Sequence, residues 1–183
     1  MKTGKKMTAL LCSVLLLAAL ITCSVPAAGE ALKLDWADFA SAETESQGDF
    51  QTVEIPDLPS VRFWIPSGMV SVDTGFIDGP FRPAALYGTA DQEKSVILFV
   101  SAVSGLDEYA ALMEKEGGGS DFRNIVINGV ESILYDVEKD GLECLIYPVS
   151  DHMILSMNFS PMTGDDDWEA AKNIILASIQ PAE

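Results

Sequence analysis

Between residues 120 and 160 the chain repeats one pattern: apolar residues alternate with polar ones, and the runs are split by turn dipeptides. Phe122 to Ile127 leads into Asn128-Gly129. Ile133, Tyr135 and Val137 alternate up to Asp140-Gly141, and Leu142, Cys144 and Ile146 follow at the same period. Ser150-Asp151 turns the chain again, and Met153, Leu155, Met157 and Phe159 share the next face. Period-two alternation marks half-buried strands, and Asn-Gly and Asp-Gly mark tight hairpins. A meander of antiparallel strands is the expected result.

Upstream, Val61, Phe63 and Ile65 alternate with Arg62 and Trp64, bounded by Pro59 and Pro66, which predicts another strand. Ala85 to Thr89 predicts a short one. The continuous run Ser95 to Ala102 predicts a central strand buried on both faces. Two amphipathic helices complete the list. In the first, Ser104 pairs with Asp107 as a cap, Leu106, Tyr109, Ala110 and Met113 form the apolar stripe, and Gly117 to Gly119 ends it. The second opens at Asp165-Asp166-Asp167 and stops before Pro181, with Trp168, Ala171, Ile175 and Ile179 on its buried side. Strands joined by short turns, with two helices to bury against them, define an α+β fold: an antiparallel sheet packed on two helices.

The N-terminus reads as an address. Lys2, Lys5 and Lys6 precede an uncharged apolar run from Thr8 to Cys23, and Pro26, Ala27 and Ala28 follow. This is the order of a secretory signal over residues 1–28, with Val25 and Ala27 at −3 and −1 of one cut. Two other outcomes fit the same residues. An uncleaved run would be a short membrane span, and Cys23 could carry lipid, although Thr22 departs from the small residue expected before it. The expected location is therefore secreted or on the extracytoplasmic cell surface. A membrane is involved only if the signal is retained or Cys23 is lipidated. Residues 29–49 are expected to form a short helix, with Leu32, Trp36, Phe39 and Ala40 on one face, and a linker. Residues 50–183 form the single α+β domain.

Charge narrows the function. The 183 residues carry 11 Lys and Arg against 28 Asp and Glu, a net charge of −17. Loss of the three leader lysines leaves −20. Nucleic-acid binding rests on cationic contacts to phosphate, so a nucleic-acid partner is excluded. Removal of Cys12 and Cys23 leaves Cys144 alone, without a disulfide partner.

The residue types for catalysis are sparse. His152 is the only histidine, and its neighbours Ser150 and Asp151 cannot form a triad on an extended segment. One His and one Cys are too few for zinc, so no metal or cofactor is expected. Asp136, Glu138, Asp140 and Gly141 imitate the start of a calcium loop, but Tyr147 stands where its closing Glu belongs. Asp165 to Asp167 reads as anionic groups favouring a helix N-terminus. Cys144 reads as a buried thiol. Trp36, Trp64 and Trp168 could line a sugar surface, but their spacing fits a core.

The run Val61-Arg62-Phe63-Trp64-Ile65-Pro66, the helix at Tyr109, the Val126-Ile127-Asn128-Gly129 step and the closing Ser178-Ile179-Gln180 form a recognisable layout. Over residues 50–180 it resembles small secreted bacterial proteins with a PsbP- or DcrB-like domain. The resemblance implies scaffold and binding roles and supplies no catalytic residue. The expectation is an exported, non-catalytic binding or accessory module whose partner is a protein or envelope component. The expected contact zone is the irregular loop Ser67 to Pro83 with Trp64, through Trp64, Phe76, Phe81 and Arg82. Two other classes stay open: a carrier of a small apolar ligand between sheet and helices, and a carboxylate-based hydrolase.

Overall fold

The alternation downstream of residue 120 builds what it predicts. Ser120–Ile127 (β7), Val130–Val137 (β8), Leu142–Ser150 (β9) and Met153–Ser160 (β10) form a continuous antiparallel meander. Asn128 (φ 47°) and Gly129 (φ 83°) both take left-handed backbone at the first turn, which explains that dipeptide. The structure, a computed structural model, describes residues 31–55, 57–74 and 83–182; the leader and three of the four expected contact residues, Phe76, Phe81 and Arg82, lie outside them.

The other described elements, in chain order, are Leu32–Leu34 (β1), Trp36–Phe39 (α1), Ala42–Ser46 (α2), Gly48–Val53 (β2), Val61–Pro66 (β3) and Met69–Ser71 (β4). Ala85–Thr89 (β5), Ser95–Ala102 (β6) and Leu106–Leu112 (α3) follow. After the meander come Asp166–Ala177 (α4) and Gln180–Pro181 (β11). Eight of these strands form one sheet in the order β1-β7-β8-β9-β10-β6-β5-β4, and β11-β3-β2 form a second, smaller one.

Strand parity sorts the core into two layers. On one face of the large sheet, Ile133, Tyr135, Val137, Cys144, Ile146 and Ile154 pack against Leu106, Tyr109, Ala110 and Met113. On the other, Ile125, Leu134, Leu145, Leu155, Met157 and Phe159 meet Trp168, Ile175 and Leu176 of α4 and Phe63 and Ile65 of β3. Helix α4 starts with Asp165, whose Oδ1 accepts from the Trp168 amide at 2.8 Å. This satisfies one of the free N–H groups of the first turn.

Several expectations need correction. Residues 31–49, the described part of the expected helix and linker, are neither. β1 pairs parallel with β7, α1 and α2 are single short turns, and β2 begins at Gly48. Three residues gain more from the unpaired backbone of the β7 edge than from an isolated short helix, which nucleates poorly. The compact unit accordingly starts at Ala31. The expected antiparallel sheet on two helices is a mixed sheet plus a second sheet, with two further short helices. β6 is half-buried, whereas β8, β9 and β10 carry runs of buried residues facing both sides. Gly105, not Ser104, stands at the start of α3, with no side-chain cap. β4 lies inside the segment expected to be an irregular loop.

One residue joins the layers. Asn128 Oδ1 accepts from the Trp36 amide at 2.8 Å. Its Nδ2 donates to the carbonyls of Ala177 at 2.7 Å and Ile179 at 2.8 Å. The β7–β8 turn therefore holds the start of α1 and the C-terminal end of α4 together.

Candidate binding site

Cys144 and His152, the two side chains best suited to nucleophilic chemistry, sit in opposite surroundings. Cys144 is buried at 1% exposure among Ile133, Tyr135 and Ile146. Burial pushes its thiol up to about 12, the hydrogen bond with Tyr135 opposing this only in part. A thiol this reluctant to ionise is a poor nucleophile. Native protein at pH 8 is expected to react with iodoacetamide at least tenfold more slowly than protein in 6 M guanidinium; equal rates would show that Cys144 is accessible. His152 is exposed in the β9–β10 turn, where its amide donates to Ser150 Oγ at 3.3 Å.

The acidic groups are tied up in pairs. Asp136 and Glu143 are register partners on β8 and β9. Arg123 Nη2 reaches Asp136 Oδ1 at 2.6 Å and Glu143 Oε1 at 3.2 Å. Lys172, 3% exposed, donates from Nζ to Glu143 Oε2 at 2.9 Å and the Met162 carbonyl at 2.6 Å, and forms an ion pair with Glu169 Oε2 at 3.0 Å. Burial raises the Asp136 carboxyl above its ordinary value although Arg123 pulls it down. Both oxygens of Glu143 are claimed, so the pair reads as a cross-link between sheet and α4. Glu138 to Asp140, the imitation of a calcium loop, form a tight helical turn closed by Gly141. Among the described residues no three His, Cys, Asp or Glu side chains are grouped to hold a metal. Asp165 caps α4, as its position in the acidic run suggested, and Lys94 donates to it at 2.9 Å.

Trp64 is not the exposed contact expected of it. It is 3% exposed, and its amide donates to Ser178 Oγ at 2.7 Å. Its indole crosses the backbone at Gly48, where a Cβ would collide with the ring and with the Ile65 carbonyl. The signal was Gly48 itself: a glycine in a strand marks a place where another group comes close. Met157 and Phe159, which suggested an apolar-ligand carrier, are fully buried in the packed core.

The described ends of the expected contact loop do build a concavity. Residues 71–74 and 84–87 face residues 52–54 of the small sheet across an open groove of about 520 Å³. Val72 is exposed at its side and Tyr87 buried at its base. Ser71 and Thr52 supply hydroxyls, and Glu54 and Asp73 carboxylates. Polar groups make up more of the groove's lining than apolar ones.

No protein-family model matches the chain, and no curated protein matches it in sequence. Solved structures with similar chain paths exist. The solution structure of cyanobacterial PsbP (CyanoP) from Synechocystis sp. PCC 6803 is 10% identical, with a TM-score of 0.46 over 73% of this chain and 92% of that one. A crystal structure at 1.50 Å from Bacteroides thetaiotaomicron VPI-5482 is 12% identical, with a TM-score of 0.45 over 75% of this chain and 49% of that one. A PsbP protein thus stands among the structural neighbours. Among the described residues no helix is long and apolar enough to cross a membrane.

Proposed function

We propose that the chain is an exported, non-catalytic binding or accessory module of the bacterial cell envelope or exterior, which holds a protein or envelope component in the groove between β2 and β4–β5. The groove of about 520 Å³ carries this reading, because it joins two sheets at the ends of the loop segment. Loops on a rigid sheet are where contacts with partners concentrate. The burial of Cys144 and the full occupation of Glu143 favour binding over catalysis. Export rests on the lysine-led apolar leader of residues 1–28.

The test is affinity capture from the cell envelope with the wild-type chain and with Val72→Asp. Val72 is 42% exposed, so this change leaves the fold intact, which circular dichroism verifies. Components held by the wild type and lost by the variant are expected. Identical capture profiles for the two folded proteins would count against the groove.

A further inference from the structure

The small sheet has a second face, which the groove touches only at its margin through Thr52 and Glu54. Val53, Val61, Phe63 and Ile65 turn into the core. The opposite parity turns the other way, and the strand register sets it in rows. Thr52, Arg62 and Gln180 form one row across β2, β3 and β11; Phe50 and Trp64 form the next.

The rows combine two kinds of surface. Phe50 is 37% exposed, and Trp36 meets it edge-on at 5.3 Å between ring centres. The Arg62 guanidinium carbon lies 5.0 Å over the Phe50 ring. Among the described residues, the buried donors Arg62 Nε, Gln180 Nε2 and Trp64 Nε1 have no hydrogen-bond partner. Arg62 makes no ion pair among the described residues, in a chain with 28 acids. Glu54, the acid on the same face, is held instead by Ser60 Oγ at 2.7 Å. Unpaired donors beside a half-exposed ring are costly to a fold that gains nothing from them.

We propose that this face binds a neutral saccharide, one sugar ring lying against Phe50 and its hydroxyls bonded by Arg62, Gln180 and Thr52. The spacing fits: a sheet sets side chains of neighbouring strands about 5 Å apart, the width of a pyranose ring. The apolar C–H face of such a ring covers an aromatic side chain, while its hydroxyls accept from N–H groups. Gln180 and Arg62 are both half-exposed, and the terminal torsion of a glutamine is soft, so its amide turns to a ligand at little cost. Charge selects the class. The guanidinium repels cations at short range, and the net charge of −17 with Glu54 alongside repels anions. A neutral polyhydroxyl ligand meets neither penalty. The surface adjoins the groove at Thr52 and works without it.

Calorimetric titration of the purified chain with maltohexaose, cellohexaose and chitohexaose tests this, with hexagalacturonate as the acidic control. Saturable binding of at least one neutral hexasaccharide is expected, with hexagalacturonate weaker. Phe50→Ala and Arg62→Met should each weaken it about tenfold, and Val72→Asp in the groove should leave it unchanged. Absence of saturable binding by all three neutral sugars overturns the proposal. So does undiminished binding by a Phe50→Ala protein with a native circular dichroism spectrum, or a preference for the acidic sugar.

Discussion

Asn128→Ala is expected to lower stability by about 3 to 4 kcal/mol, with a loss of roughly 10 °C in Tm. Three side-chain hydrogen bonds vanish together, to the Trp36 amide and to the carbonyls of Ala177 and Ile179. Each contributes about 1 kcal/mol. Alanine must also hold φ near 47°, where a Cβ without a polar side chain is strained. Asn128→Gly separates the two effects, because glycine takes that backbone freely but restores no bond. Asn128→Asp is a sharper probe: it keeps the acceptor for Trp36 and turns a carboxylate toward two carbonyls. Urea unfolding of the three variants should rank wild type above Gly, with Ala below Gly. A Gly variant as stable as wild type would mean that the bonds contribute nothing.

Alkaline solution should destabilise the protein progressively from about pH 9 upward. In the folded chain the Cys144 thiol is pushed from 9.0 up to about 12 by burial. Burial likewise raises Tyr135 and Tyr109, which pack with it, and the neighbouring thiol adds to both. The unfolded chain releases these protons at ordinary pH values while the folded chain retains them. The folded state therefore binds more protons above pH 9, and stability falls as pH rises. The slope is roughly 1.4 kcal/mol per pH unit for Cys144 alone, with the tyrosines adding to it above about pH 10. Below pH 9 the stabilisation is fully present. Urea midpoints at pH 8, 9, 10 and 11 read this directly. Cys144→Ala should flatten the fall between pH 9 and 10 and leave the tyrosine portion above it. A wild-type midpoint constant from pH 8 to 11 would show that these groups are not buried as described.

The meander was legible because its information is local. Asn128-Gly129 and Asp140-Gly141 need only their own backbone to turn, and Ile133, Tyr135 and Val137 announce a face by period alone. The closing helix was equally readable, since Asp165 and Trp168 sit at cap and stripe positions whatever lies beneath them. What escaped depends on partners. β1, β4 and β11 span two or three residues each, too few for any pattern, and exist because a longer strand offers them unpaired backbone. The division into two sheets followed from no run of residues, only from which strands meet. Asn128 was visible as a turn residue but not as a clamp, because its acceptors lie some fifty residues downstream. Trp64 illustrates the same limit in reverse. Parity turned it away from Phe63 and Ile65, which suggested exposure, while the bed it lies on was set by Gly48 in a different strand. The groove was reached only in part, through the loop that borders it; Thr52 and Glu54 entered it from the small sheet.

The pairing of Gln180 and Pro181 with Arg62 and Val61 has a kinetic meaning. The residues between them, 63–179, must be synthesised before the small sheet can gain its third member. Contacts that distant in sequence close slowly, because a long stretch of chain loses its freedom before they form. The meander can assemble early from neighbours, whereas β3 waits for a strand far downstream of it. Until that tether is made, the row holding Arg62 has an open edge, so pairing with β11 is the step that completes the polar row beside Phe50.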